Sequence, residues 1–180
     1  MKAYVTSVGE ITTDLCVWSL ERNGFEVVLI QNPSTLASKL EEIYNRADDD
    51  FVRVDADVVP NKILTPEMVQ APYDREVWWV QFLTYDWYKQ DATHGGVQFI
   101  RKEALPVLRE RVRDAVDLER PESHLYRLAE FYGPRRCETH PAIVGLHGYK
   151  NDSSRAKETK QRRGQYYDYD FELAKKLDEL

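Results

Sequence analysis

The sequence predicts an α/β fold built on a largely parallel central sheet. Three observations carry that reading. Strand-like and helix-like stretches alternate through the first 60 residues. The helical stretches run to about a dozen residues, the length a crossover between parallel neighbours needs. The chain has 180 residues, 42% of them hydrophobic, enough for one domain that buries roughly 70% of its unfolded surface.

The elements follow in order. Lys2-Ala3-Tyr4-Val5-Thr6-Ser7, Phe25-Glu26-Val27-Val28-Leu29-Ile30 and Phe51-Val52-Arg53-Val54 are β-rich runs and read as strands. Between them, a helix is expected from about Thr12 to Asn23, closed by Gly24. A second starts at about Ser34, a good N-cap after Pro33, with Leu36, Leu40, Ile43 and Tyr44 at helical spacing. Further strands are expected over 76–83 and 96–100, separated by a polar, aromatic loop from Thr84 to Gly95. Helices follow over about 102–118, with Pro106 in the first turn, and over about 123–132, stopped by Gly133-Pro134. Pro141 to Leu146 is a last apolar run, and residues 166–180 read as a tail forming a short acidic helix. There is no internal repeat and no long linker, so residues 1–165 are expected to form a single domain with 166–180 as its tail.

Composition narrows the function. With 25 basic against 31 acidic residues and a net charge of −6, no global positive field draws the chain to nucleic acid or an anionic membrane. Any polyanion must be met locally. Cys16 and Cys137 form no metal-type pair, and no secretory leader precedes them, so they are expected to be reduced thiols in a cytoplasm. No 18-residue apolar run offers a membrane span.

In parallel sheets ligands bind beyond the carboxyl ends of the strands, which directs attention to Ser7–Glu10, to Gln31–Asn32 and to Asp55–Asn61. Asp55-Ala56-Asp57 stands there. Two carboxylates one residue apart can share a divalent cation and the hydroxyls of a ligand. Asp48/Asp50 and Asp168/Asp170 repeat the spacing, but only Asp55/Asp57 follows directly on an apolar strand; a solvated turn is the alternative reading. There is no GxxxxGK[ST] loop and no GxGxxG, which removes the main support for P-loop and dinucleotide-binding readings.

Taken together, the N-terminal unit running into Phe51-Val52-Arg53-Val54-Asp55-Ala56-Asp57 resembles the nucleotide-sugar half of glycosyltransferases with the GT-A fold, whose DxD motif holds a divalent metal and the nucleotide. Gly95-Gly96-Val97-Gln98-Phe99-Ile100 resembles the strand lining donor sugar and acceptor, Pro121-Glu122-Ser123 the helix start that carries the base of inverting members, and Gly145-Leu146-His147-Gly148 the late segment whose histidine completes the metal site. The matches cover about 150 residues in the family's order. One carboxylate, Glu122, stands where the family has a Glu-Asp pair.

The resemblance implies a Rossmann-like GT-A fold: a mostly parallel sheet flanked by helices, with a small antiparallel ribbon on the acceptor side. It implies Asp57 and His147 as ligands of Mn2+ or Mg2+, with Asp55 on the metal or at the ribose. Flanking glycines favour His147 over its rival His140. Glu122 becomes the expected base, with Asp86 in Thr84-Tyr85-Asp86-Trp87-Tyr88 as runner-up. Thr6, Gln31 and Gly96 fall on the nucleotide-sugar side, and Lys150 and Arg155 on the phosphates.

The segment from Lys150 to Arg163, with six basic and two acidic residues, is a lid over phosphates, a grip on a nucleic-acid acceptor, or a solvated loop. The expected reaction transfers sugar from a nucleotide-diphosphate donor, a UDP-sugar foremost, to a hydroxyl, with the hydroxymethyl group of a modified DNA base among the acceptors. A nucleotidyltransferase and a non-catalytic nucleotide-sugar-binding module are the alternatives.

Overall fold

A computed structural model describes residues 1–31, 35–70, 76–87, 89–115, 118, 121–132 and 136–149. Among the described residues seven strands form one sheet in the order β2-β1-β3-β6-β5-β7-β4.

β1 (Lys2–Ser7) lies between β2 (Glu26–Gln31) and β3 (Phe51–Asp55), parallel to both. α1 (Thr13–Arg22) and α2 (Leu36–Arg46) make the two crossovers, and side-chain alternation decides which face each covers. Val5, Val52 and Val54 pack with Cys16 and Leu20 of α1. Tyr4 and Phe51 pack with Leu40, Ile43 and Tyr44 of α2. Because β2 lies on one side of β1 and β3 on the other, helices on opposite faces make both crossovers right-handed. α2 starts one residue later than expected: Thr35 is its N-cap, in a capping box with Ser38.

The second half is antiparallel where it joins the first. β3 pairs with β6 (Asp91–Ile100), and β6 with β5 (Trp79–Asp86), both antiparallel. β7 (Cys137–His147) then runs parallel to β5, and β4 (Val58–Pro60) closes the edge antiparallel to β7. Parallel pairing is thus concentrated among β1–β3, and the antiparallel ribbon is β5–β6.

Most of the loop expected over 84–95 is strand. Phe82, Thr84 and Asp86 are buried while Gln81, Leu83 and Tyr85 are half-buried, a period-two pattern that continues through the polar residues. The connection shrinks to 87–90, where Gln90 adopts φ 53° and donates its N–H to Asp86 O at 2.8 Å. β7 is likewise longer than its apolar run and carries Pro141 inside it. The register jumps there from Phe82↔His140 to Leu83↔Ile143, because proline has no ladder donor.

The helix expected over 102–118 is a 3₁₀ turn (Lys102–Ala104), α4 (Leu105–Arg111) with proline in its first turn, and a second 3₁₀ turn (Val112–Ala115). α5 (Pro121–Phe131) packs on the α2 face through Leu125, and a short α3 (Pro66–Gln70) follows β4. Cys16 and Cys137 are both free thiols. Among the described residues, no helix is long and apolar enough to cross a membrane.

Candidate active site

Strand register assembles the centre of the site. Asp57 lies in the two-residue turn between β3 and β4, Val58 pairs with His147, and Asp86 pairs with the same histidine across β5–β7. The backbone locks this junction: Gly148 N–H donates to Asp57 O at 2.8 Å and Trp87 N–H to His147 O at 2.9 Å. His147 Nε2 is 3.3 Å from Asp57 Oδ2, and Nδ1 is 3.2 Å from Asp86 Oδ2.

Two carboxylates beside it favour the charged form of the imidazole. Burial lowers the His147 value, but the charge and hydrogen bond of Asp57, then Asp86, outweigh it and lift it to about 10. Burial raises Asp86, but its bonds to His147 and to the Lys89 N–H bring it down to about 2. Asp86 is 6% exposed and lies behind the histidine, with its Oδ2 against Nδ1.

Asp55 sits in a different environment one strand face away. Its Oδ1 receives Arg53 Nη2 at 2.6 Å and Thr6 Oγ1 at 3.2 Å, with Lys39 Nζ at 3.6 Å. Oδ2 receives none of these. Burial raises the Asp55 carboxyl, and Arg53 and Lys39 overcome it to hold the group near 2. Thr6, 1% exposed, also accepts from Lys39 Nζ at 3.2 Å, so it reaches a ligand only through Asp55. Arg53 and Lys39 escaped the sequence reading. Arg53 left a signal, a charged residue inside an apolar strand two positions before Asp55 and so on the same face; Lys39 left none.

Other expected residues scatter around this centre. Gln31 ends β2 and lines a cavity of about 200 Å³ with Ser7, Gly9, Glu10, Thr13 and Asp14. There Glu10 Oε2 accepts from Ser7 Oγ and Val8 N–H, fixing the loop after β1. Gly96, at φ +75°, packs on Val58: a Cβ there would stand 2.5 Å from Val58 Cγ2 and 3.8 Å from His147 Cδ2. A Cβ on Gly145 would meet Val59 O at 2.8 Å. These glycines thus admit the chain's own β4 beside the histidine.

His140 lies within β7, its Nδ1 accepting the Ala142 N–H at 3.1 Å and its ring 5.4 Å from that of Phe82. Glu122, on the first turn of α5, has Oε2 buried and its charge acts on Arg53 and Tyr44. Lys150 and Arg155, with the rest of the basic segment and the 166–180 tail, lie outside the described residues.

A three-stranded parallel unit with an aspartate turn at its carboxyl end, joined to an antiparallel ribbon and closed by a late histidine strand, defines the class: this is the Rossmann-like GT-A fold shared by nucleotide-diphospho-sugar transferases and nucleotidyltransferases. Solved structures agree. The chain aligns with a glycosyltransferase involved in the glycosylation of the major capsid of PBCV-1 (TM-score 0.58, 14% identity, 90% of this chain and 98% of that one). It aligns as well with the 4-diphosphocytidyl-2C-methyl-D-erythritol synthase of Anaerococcus prevotii (TM-score 0.57, 10% identity, 89% and 96%). The inositol-1-phosphate CTP transferase of T. maritima gives a TM-score of 0.53 at 12% identity over 92% and 97%. No protein-family model and no curated protein matches the chain.

Proposed function

We propose that this chain is a metal-dependent glycosyltransferase that moves a sugar from a nucleotide-diphosphate donor, a UDP-sugar foremost, to a hydroxyl acceptor. The observation that carries the reading is the Asp57–His147 pair with Asp86 behind it. Adjacent ligands on an octahedral ion with bonds near 2.1 Å are separated by about 3 Å, and Asp57 Oδ2 and His147 Nε2 are 3.3 Å apart. Asp86 on Nδ1 would keep that proton in place and leave the Nε2 lone pair for a metal, the usual arrangement behind a ligating histidine. Among the described residues no three His, Cys, Asp or Glu side chains converge as a metal-binding group. Mn2+ or Mg2+ would therefore take two protein ligands here and the rest from phosphate and water, a mode such ions adopt.

When bound, the ion would neutralise charge on the departing nucleoside diphosphate. The remaining work falls to the chain. Arg53, Lys39 and Thr6 tie one oxygen of Asp55, leaving Oδ2 to accept from ribose hydroxyls. The cavity bounded by Ser7, Glu10 and Gln31, at the ends of β1 and β2, suits the nucleobase. The acceptor reading rests on sequence: the basic segment from Lys150 to Arg163 suits a phosphate-rich acceptor, including DNA with a hydroxymethylated base.

UDP titration with and without Mn2+ tests the proposal. Metal-dependent binding that Asp57→Ala abolishes is expected, whereas binding indifferent to metal would indicate a non-catalytic module. A nucleotidyltransferase is favoured as second reading by the synthase and CTP transferase that share the fold over nine-tenths of the chain. The product separates the two, UDP from a sugar transfer and pyrophosphate from a nucleotidyl transfer. For a DNA acceptor, affinity should fall by an order of magnitude or more between about 50 and 200 mM salt.

A further inference from the structure

Arg53 holds Asp55, and what holds Arg53 is only half visible in that contact. The guanidinium is 2% exposed. It spends Nη1 on Gln98 Oε1 at 2.8 Å and Nη2 on Asp55 Oδ1 at 2.6 Å. Its Nε is buried and has no partner among the described residues. Two further buried polar atoms are in the same condition: Tyr44 Oη, from α2, on a side chain with no exposed surface, and Glu122 Oε2, from the first turn of α5.

The three groups come from β3, α2 and α5. Tyr44 and Arg53 share the face of the sheet that α2 and α5 cover, since Arg53 alternates with Val52 and Val54 on the opposite side. They are chemically complementary: an N–H donor, a hydroxyl that donates and accepts, and a carboxylate oxygen that accepts. Buried polar atoms are rarely left unpaired, and since these three make no direct bond to one another, one internal water joining them would satisfy all three. Their electrostatics are shared as well. Burial raises the Tyr44 hydroxyl, Arg53 opposes and Glu122 adds to the shift. Burial alone would lower Arg53, but Asp55 and then Glu122 more than restore it. With Lys39 counted, two cations face two carboxylates, and removing Glu122 would leave an uncompensated positive charge beneath Asp55.

We propose that Glu122 is a positioning residue: together with Tyr44 it clamps the Arg53 guanidinium from behind and so fixes the Asp55 carboxylate that reads the ribose hydroxyls of the nucleotide. This rests on the ribose reading of Asp55 given above. It also assigns the helix-start carboxylate a task distinct from proton abstraction, exerted through two intervening side chains.

The test compares UDP with its 2′-deoxy and 3′-deoxy analogues, in the presence of Mn2+, on the full chain and on Glu122→Gln, Tyr44→Phe, Asp55→Asn and the Asp55→Asn/Glu122→Gln double variant. Loss of a hydrogen bond to a charged acceptor should separate UDP from the responsible deoxy analogue by roughly tenfold or more in the parent. Glu122→Gln is near-isosteric and is expected to fold; it should shrink that ratio several-fold while the Mn2+ affinity of the nucleotide-free protein stays unchanged. Tyr44→Phe, which keeps the ring, should move the ratio in the same direction. The double variant should be no worse than Asp55→Asn alone, because both changes act through one carboxylate. A Glu122→Gln protein that keeps the parent's ratio, or losses that add in the double variant, would overturn the clamp while leaving the ribose reading intact. An Asp55→Asn protein with an undiminished ratio would overturn both.

Discussion

At the scale of single residues, His147 carries the greatest tension. Its charged form is favoured between Asp57 and Asp86, yet a metal needs Nε2 without its proton. With the folded value lifted from 6.5 to about 10, proton and cation compete throughout the neutral range, so Mn2+ affinity should rise with pH and binding should release close to one proton. Calorimetry in buffers of different ionisation enthalpy reads that number directly. Asp86→Asn removes the acceptor behind Nδ1 and is expected to weaken metal binding by roughly 10- to 100-fold, measured by the same titration.

The metal-free protein has its own pH profile. Asp55 and Asp86 fall from 3.8 to about 2 in the folded state, so their contribution to stability is present above about pH 4 and lost as pH falls toward 2. His147 has the opposite sign: its contribution is complete below about pH 6.5 and lost as pH rises toward 10. A plot of melting temperature against pH should therefore decline on both flanks, and replacing His147 by Gln should flatten the alkaline one.

Among elements, the three strands that meet at the histidine are held by what they lack. Gly96 leaves room for Val58, and a methyl group there would press to within 2.5 Å of it at a backbone angle that L side chains rarely adopt. Gly96→Ala is expected to cost about 1–3 kcal/mol, seen in a protein of this size as a melting temperature lower by about 2–4 °C per kcal/mol. Its Mn2+ affinity should also drop, because the displaced β4 borders His147.

The first three strands and two helices were legible from residues alone, since hydrophobic periodicity and caps are local signals. The Asp55–Asp57 turn was legible for the same reason, lying at the end of an apolar strand. Asp86 was harder to place: its strand passes through Thr84 and Tyr85, where polar side chains conceal the alternation, and its partner lies 61 positions away. For Glu122 the helix-start position says nothing about which neighbour a carboxylate faces, so its link to Arg53 and Tyr44 was not legible. Arg53 was overlooked because an arginine among valines is read as noise in a strand until the sheet shows what it touches.

For the molecule as a whole, ligand and fold should stabilise one another. UDP with Mn2+ at about 100 times the dissociation constant adds about 2.7 kcal/mol, a rise of roughly 5–10 °C in melting temperature. The Asp57→Ala protein should show no metal-dependent rise in the same scan. The arrangement of strands also sets an order of events. β1, β2 and β3 pair among residues near one another in the chain, whereas the Asp57–His147 contact joins positions 90 residues apart, across the last strand to be described. Contacts of such long range are costly in loop entropy and tend to form late. During synthesis the N-terminal unit can therefore fold before Asp57 and His147 meet, and if the proposed cation is bound by that pair, its capture would have to wait until β7 docks.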